Sequence, residues 1–331
     1  MSFREPSARR RVREPPARRR AQRGRLLVRR ERLAALGSLA LVATVVLVLV
    51  VAAIPGSGPG RSAQRSVGSA RRATVTTTAS SSPATGQAVI TSVPILVYHV
   101  INAPPPQSAA NPALYVPADE FTSQMDALKA AGWHAVTLNQ LQAYWTRGGS
   151  LGAGKPIVLS FDNGYASQYT NALPVLKRLG WVGVENLQLS GLPPAEGGLT
   201  DAQIRGLVAA GWELDTQGAG HADLITLDTA QLSTEIATAR QTLRSRYGVP
   251  ANWFSYPSGH YNATVTAAVR AAGFVGATTV NPGWASSQQD RFRLPRLPVL
   301  GGTSPSTLLS QIAAARATTT VPVAYSGPGV A

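Results

Sequence analysis

The chain has 331 residues, four histidines and no cysteine, which excludes disulfide scaffolds, Cys-ligated zinc, iron–sulfur clusters and thiol nucleophiles. The net charge of +15 is uneven: residues 1–32 hold 13 Arg against 3 Glu, residues 55–90 hold four Arg and no acid, and residues 91–331 set 14 basic against 13 acidic residues. The part able to fold is therefore near neutral, so no nucleic-acid-binding face is expected on it.

In chain order, residues 1–32 read as a basic cytoplasmic tail. Residues 33–54 form an uncharged apolar run of 22 residues, long enough as a helix to cross a bilayer of roughly 30 Å. The arginines before it hold that end in the cytoplasm, so the rest is expected outside the cell membrane on a single-pass anchor. A cleaved signal peptide would need a shorter apolar region of about 7–15 residues and a small-residue cleavage site; Ala52-Ala53-Ile54-Pro55 is a poor one. Residues 55–90, rich in Gly, Pro, Ser and Thr, cannot bury a core and read as a flexible tether.

From about Val93 the pattern alternates strands and helices. Strands are expected at 94–98, 157–161, 182–189, 212–216, 252–256 and 274–279. Helices are expected at 118–131, 168–179, about 200–210 with Thr200 as N-cap, 229–247 and 262–272. Such alternation argues for a parallel sheet with outer helices, in the α/β form of a distorted or incomplete (β/α) barrel. In such barrels the chemistry sits at the C-terminal strand ends. The region 91–300 is assigned to this domain. The tail 301–331 is expected to hold one short helix at about 307–316.

Four polar segments close these strands: Val97-Tyr98-His99, Ser160-Phe-Asp-Asn-Gly164, Asp215-Thr-Gln-Gly-Ala-Gly-His221-Ala-Asp223, and Phe254-Ser-Tyr-Pro-Ser-Gly-His260-Tyr-Asn262. In order and spacing they resemble the polysaccharide deacetylase family, with its NodB homology domain, from about Val93 to Leu300. Further similar stretches are Phe121–Thr137, Tyr165–Gly180, Asn262–Gly273 and Phe292–Pro298. The resemblance implies removal of acetyl groups from N-acetylated polysaccharide or oligosaccharide by a metal-activated water. It makes Asp162 the base and His99 the acid. It places a divalent metal, zinc by resemblance, at Asn163, Gln217 and His221, and the substrate groove at Tyr165, Tyr256 and Pro257. Tyr261 and Trp284 are further candidates to stack on sugar or to pack.

Two of the three metal positions depart from the family pattern. Asn163 stands where members carry Asp, and Gln217 where they carry His. A neutral amide oxygen offers zinc neither charge nor an imidazole nitrogen. Two functions therefore stand side by side: a deacetylase with a rearranged site, or a catalytically impaired protein that binds glycan or a partner through the same groove. A rearranged site would draw on Asp215, which lies on the same strand face as Gln217, and on His260. Against this, Asp215 reads as an ordinary strand-end carboxylate and His260 as a surface turn residue. His134 reads as surface and Asp223 as a turn cap. Ser160 lacks a Gly-x-Ser-x-Gly elbow, which argues against a serine hydrolase.

Overall fold

The computed structural model describes residues 92–105, 111–190, 192 and 196–317. The basic tail, the apolar run and the tether lie outside these residues, as does the end of the chain after 317. Among the described residues no helix is long and apolar enough to cross a membrane.

The chain enters β1 (Ser92–Tyr98), then α1 (Ala118–Ala130), β2 (Trp133–Ala135) and α2 (Leu138–Arg147). The long central strand β3 (Lys155–Asn163) follows. Next comes α3, a π-turn at Gln168–Ala172 running into Leu173–Leu179. Pro174 sits at this junction and has no N–H for an i→i−4 bond, which accounts for the wider turn before it. Then come β4 (Val184–Gln188), α4 (Asp201–Ala209) and β5 (Glu213–Gly218). The helix α5 starts at Thr229–Ser233, passes a π-turn at Thr234–Thr238 and ends as Ala239–Tyr247. It is followed by β6 (Trp253–Ser255), α6 (Ala263–Ala271), β7 (Gly276–Thr278), β8 (Trp284–Ser286), β9 (Leu297–Pro298) and α7 (Pro305–Arg316).

The sheet order is β7-β6-β5-β4-β3-β1-β8, with β2 beside β3 and β9 beside β1. Every pairing is parallel except β1 with β8. The expected incomplete (β/α) barrel is therefore the architecture found. Its gap is bridged by residues 294–298: Leu294 pairs with Thr278 of β7, and Leu297 pairs with Leu96 of β1. The one residue of this bridge that the sequence marks as charged, Arg296, is carried into the interior with 0% exposure.

Strand alternation divides the core. Leu96, Tyr98, Leu159 and Phe161 face the helices with Phe121, Met125 and Leu128. Ile95, Val158 and Val184 face inward with Trp253 and Leu294. The short β2 and β8 and the helix α2 were not read from the sequence. The α2 start does carry a legible signal, a capping box in which Thr137 and Gln140 bond each other's backbone N–H. The helix at the C-terminal end of the chain packs on α1 through Leu308, Ile312 and Ala315. Gln124 donates to the Thr303 carbonyl and Glu120 accepts from the Gly302 and Thr303 N–H groups. The folded unit thus extends past residue 300.

Candidate functional site

Asp162 and Asn163 end β3. The chain turns sharply there, with Asn163 at φ 79° and Gly164 at φ 90°, a region that Asn and Gly tolerate best. A Cβ on Gly164 would meet the Leu187 Cδ1 at 2.4 Å, so any other residue would have to displace that methyl as well as adopt the positive φ. Gln168 of α3 ties this turn to the end of β1, its amide donating to the carbonyls of Asp162 and His99. Asp162 and His99 are thereby brought together, as expected.

The Asp162 carboxylate is 1% exposed and has four donors. Arg296 grips it with both terminal nitrogens, Nη1 to Oδ1 at 2.7 Å and Nη2 to Oδ2 at 2.8 Å. Asn186 Nδ2 donates to Oδ1 at 2.8 Å, Gln217 Nε2 to Oδ2 at 2.8 Å, and Ser255 Oγ lies 3.4 Å from Oδ2. The rest of the guanidinium is used as well: Nε donates to the Thr279 carbonyl, Nη1 to Ser160 Oγ and Nη2 to Ser255 Oγ. A bidentate Arg–carboxylate pair is the strongest of the charged hydrogen bonds. Burial alone would raise the Asp162 carboxyl, but the charge and hydrogen bonds of Arg296 outweigh it, helped by His99 and Asn186, and the net shift is downward. Local sequence pattern does not single out Arg296 as a site residue. Its one signal is a lone charge inside an apolar Leu-Pro-Arg-Leu-Pro run, which can be buried only beside a counter-charge.

His99 is pushed down to about 4, first by burial and then by Arg296 and His221, against the opposing pull of Asp162. At neutral pH its imidazole is uncharged. It is a weak base there, and the protonated form that could donate to a leaving amine is scarce. Its Nδ1 is buried without a hydrogen-bond partner.

The metal positions can be judged from their hydrogen bonds. Gln188 Nε2 donates to the Ser190 carbonyl, so its Oε1 faces Asn163, and Asn163 must present its NH2 there, at 3.0 Å. Gln217 must likewise present its NH2 to the Asp162 carboxylate, leaving its buried Oε1 without a partner. What remains for a metal is two neutral amide oxygens and the imidazole of His221, a residue at φ 55°. The neighbouring carboxylate is already neutralised, and the cation that neutralises it opposes a dication. Among the described residues no three His, Asp or Glu converge to hold a metal. This donor set does not fit a catalytic zinc, which takes three imidazole or carboxylate ligands and an open position.

The rearranged set fails on geometry. Asp215 does share the inner face, but it is fully buried and its Oδ1 accepts the Trp253 N–H at 2.8 Å. His260 is bound to Asp223, Nδ1 to Oδ1 at 3.1 Å, so Asp223 holds a side chain as well as starting a turn. Tyr256 and Pro257, expected at the groove, are buried. The Tyr256 hydroxyl donates to the Phe292 carbonyl, and its ring stacks on Tyr261 in the layer beneath α6. A packed aromatic strand end, not a sugar platform, is what Tyr-Pro supplies here. Trp284 packs on Trp133 and donates to the Ile312 carbonyl. His134 lies in β2 with Nε2 at 2.6 Å from the Leu151 carbonyl, half-buried instead of on the surface. Of the expected groove residues, Tyr165 remains at the rim. It is part-buried, and its hydroxyl is pushed up to about 12 by burial and by Glu196 and Asp162.

Comparison with known proteins matches residues 151–277 to the family described as Polysaccharide deacetylase. YxkH of Bacillus subtilis (strain 168), grouped with the polysaccharide deacetylases, is 28% identical over 214 residues, which cover 65% of this chain and 74% of that protein. The structure of Streptococcus pyogenes deacetylase PplD in complex with acetate aligns with a TM-score of 0.61 at 26% identity, covering 67% of this chain and 98% of that one. IcaB from Ammonifex degensii, at 22% identity, shares the fold with a TM-score of 0.53, covering 67% of this chain and 97% of that one.

Proposed function

Because the chain carries a polysaccharide deacetylase domain of the NodB type, we propose that it works on N-acetylated glycan as a binding protein whose zinc-dependent hydrolysis has been lost. The observation that carries this reading is the state of Asp162. A general base must touch the proton it removes, yet this carboxylate is closed to solvent and taken up by Arg296, Asn186 and Gln217. The family generally uses a divalent metal, and the donors at this site are wrong for one. We further propose that residues 33–54 anchor the domain outside the cell membrane, where such glycans lie. The apolar run and its arginine-rich N-terminal flank support this.

A second reading, residual deacetylation, is favoured by one observation: His99 is retained close enough to both Asp162 and His221 to feel each electrostatically. One pair of measurements separates the two. Calorimetry of the full-length chain with N-acetylglucosamine oligomers is expected to show binding. Acetate release from the same oligomers, with zinc, cobalt, nickel or calcium supplied, is expected to be absent. Measured turnover would overturn the proposal in favour of residual hydrolysis, and absence of binding would overturn it outright. Restoring both ligands, Asn163→Asp with Gln217→His, is expected to raise zinc affinity by at least the roughly 10–100-fold that even an outer partner is worth.

A further inference from the structure

Between parallel strands each helix returns against the strand direction, so the last turns of the helices gather beside the first residues of the strands. The exposed cations Lys129 of α1 and Lys177 and Arg178 of α3 stand in such last turns, where the helix dipole favours them. α7 lies along α1, its approach held by Glu120 at the start of α1, so Arg316 in its last turn joins them. Lys155 opens β3 at the same end, opposite Trp133 of β2. Arg178 is paired with Asp126 at 2.7 Å. Among the described residues the other four cations form no salt bridge. The opposite end begins its helices with acids, Asp119 and Glu120 in α1 and Asp228 ahead of α5. The near-neutral domain is thus polarised, positive at the strand starts and negative on the side of the groove.

The basic end is also aromatic. Trp133 packs on Trp284 with ring centres 5.9 Å apart. Lys155 lies 5.5 Å from the Trp133 ring, Arg316 5.1 Å from Trp284 and Lys129 5.8 Å from Trp181. Tryptophan with Lys and Arg is the composition of a membrane–water boundary, and cations in this number are drawn to anionic headgroups. The chain enters the domain here too. Ile95 pairs with Val158, which sets Ser92 level with Lys155, and Pro94 lies opposite Trp284. A chain of 36 residues with the composition of 55–90 has an end-to-end distance of roughly 30–36 Å, so an anchor at 33–54 keeps this end within reach of lipid. We propose that the strand-start end of the barrel docks on the anionic phospholipid surface of the membrane, with the groove turned away from it. The docking rests on the anchor reading and adds to it a fixed orientation, in which the site faces glycan outside the membrane.

The chain has no cysteine, so one introduced thiol labels one position. Full-length Ala153→Cys, in the exposed turn before β3, and full-length Thr229→Cys, at the exposed start of α5, each receive a donor dye. They are reconstituted in vesicles of phosphatidylcholine, with or without phosphatidylglycerol, that carry an acceptor dye on the headgroups. With phosphatidylglycerol, transfer from position 153 is expected to exceed that from 229 by about twofold or more, and the difference should vanish in phosphatidylcholine alone or at 1 M salt, where charges are screened beyond about 3 Å. Lys129→Gln, Lys155→Gln, Lys177→Gln and Arg316→Gln together should also abolish it. All four side chains are exposed; should that variant fail to fold by circular dichroism, the salt titration of the unaltered chain decides. Equal transfer from both positions with phosphatidylglycerol, or a difference that survives salt or the substitutions, would overturn the docking and leave the anchor standing. A chain that alkaline carbonate strips from the vesicles would overturn the anchor and the docking with it.

Discussion

On β3 the barrel interior carries a complete ion pair, Asp162 with Arg296. Two strands away on β5 it carries two acids, Glu213 and Asp215, with no salt bridge among the described residues. The first cluster resolves a buried charge by supplying a counter-charge and filling every hydrogen bond of the guanidinium. In the second no cation is supplied, and burial pushes both carboxyls toward the protonated form. Asp215 is raised by burial and by the charge of Glu213, and Glu213 is raised by burial although donors from Asn139 and Thr137 oppose this. On β4 between them, Glu185 faces the helical layer, fully buried with both oxygens unpartnered, and its carboxyl is raised by burial. Buried acids in this domain are thus not equivalent. Only the one closed by Arg296 is shifted downward by a counter-charge, while burial shifts the others upward.

The largest expected effect breaks the ion pair from one side. Arg296→Met leaves the Asp162 carboxylate buried and unpaired, a change that typically costs about 3–5 kcal/mol. Equilibrium unfolding in guanidinium should show it as a lower midpoint. Adding Asp162→Asn to that variant should return a large part of the loss, because a neutral amide can keep the partners Asn186 and Gln217 without the charge. If the single variant were as stable as the parent, the pair would not be the keystone of this layer.

The second comparison is with pH. For Asp162 the folded-state value lies below the ordinary 3.8, so its contribution is present above that pH and is lost as the pH falls through the folded value. For Glu213, Asp215 and Glu185 the folded values lie above 4.5, 3.8 and 4.5. Between the ordinary and the folded value the native state binds more protons than the unfolded one, so stability falls as pH rises, by about 1.4 kcal/mol per pH unit for each fully linked proton. The domain should therefore be most stable in mild acid. Asp215→Asn mimics the protonated acid, since its oxygen can still accept the Trp253 N–H and its NH2 can donate to Glu213. It should leave stability at pH 4 little changed and raise it at pH 8. Parallel urea titrations at the two pH values measure this, and equal shifts at both would show that Asp215 is not the proton holder.

What the sequence disclosed follows the same division. The alternating strands and helices, the four strand-end segments and the family were legible because each is written in local pattern. The structure places Asp162 and Asn163 at the end of β3, Gln217 at the end of β5 and His221 just beyond it. Their state was not legible, because it depends on Arg296, which reaches the interior only after residues 294–298 have closed the barrel gap between β7 and β1. Tyr256 and Pro257 misled for the opposite reason. A polar-tipped aromatic after a strand suggests a groove, but the Phe292 carbonyl takes its hydroxyl and the ring turns outward beneath α6. The short β2 and β8 gave no periodic signal because three residues are too few to show one.

The smallest expected effect lies where a helix end meets the acid pair. Thr137 caps α2 by accepting from the Gln140 N–H at 3.2 Å, and the Asn139 N–H in the same turn donates to Glu213 Oε2 at 2.9 Å. Thr137→Ala should cost about 1 kcal/mol as a lost cap. The Thr137 side chain also acts against the upward push of burial on the Glu213 carboxyl. Removing it raises that value further, so the ionised form becomes costlier in the folded state and the loss should grow above the ordinary value of 4.5. Urea unfolding at pH 4 and pH 8 distinguishes the two contributions. A loss that is the same at both would make Thr137 a cap alone, whereas a larger loss at pH 8 means that the helix end is part of what lets the barrel tolerate an acid without a cation.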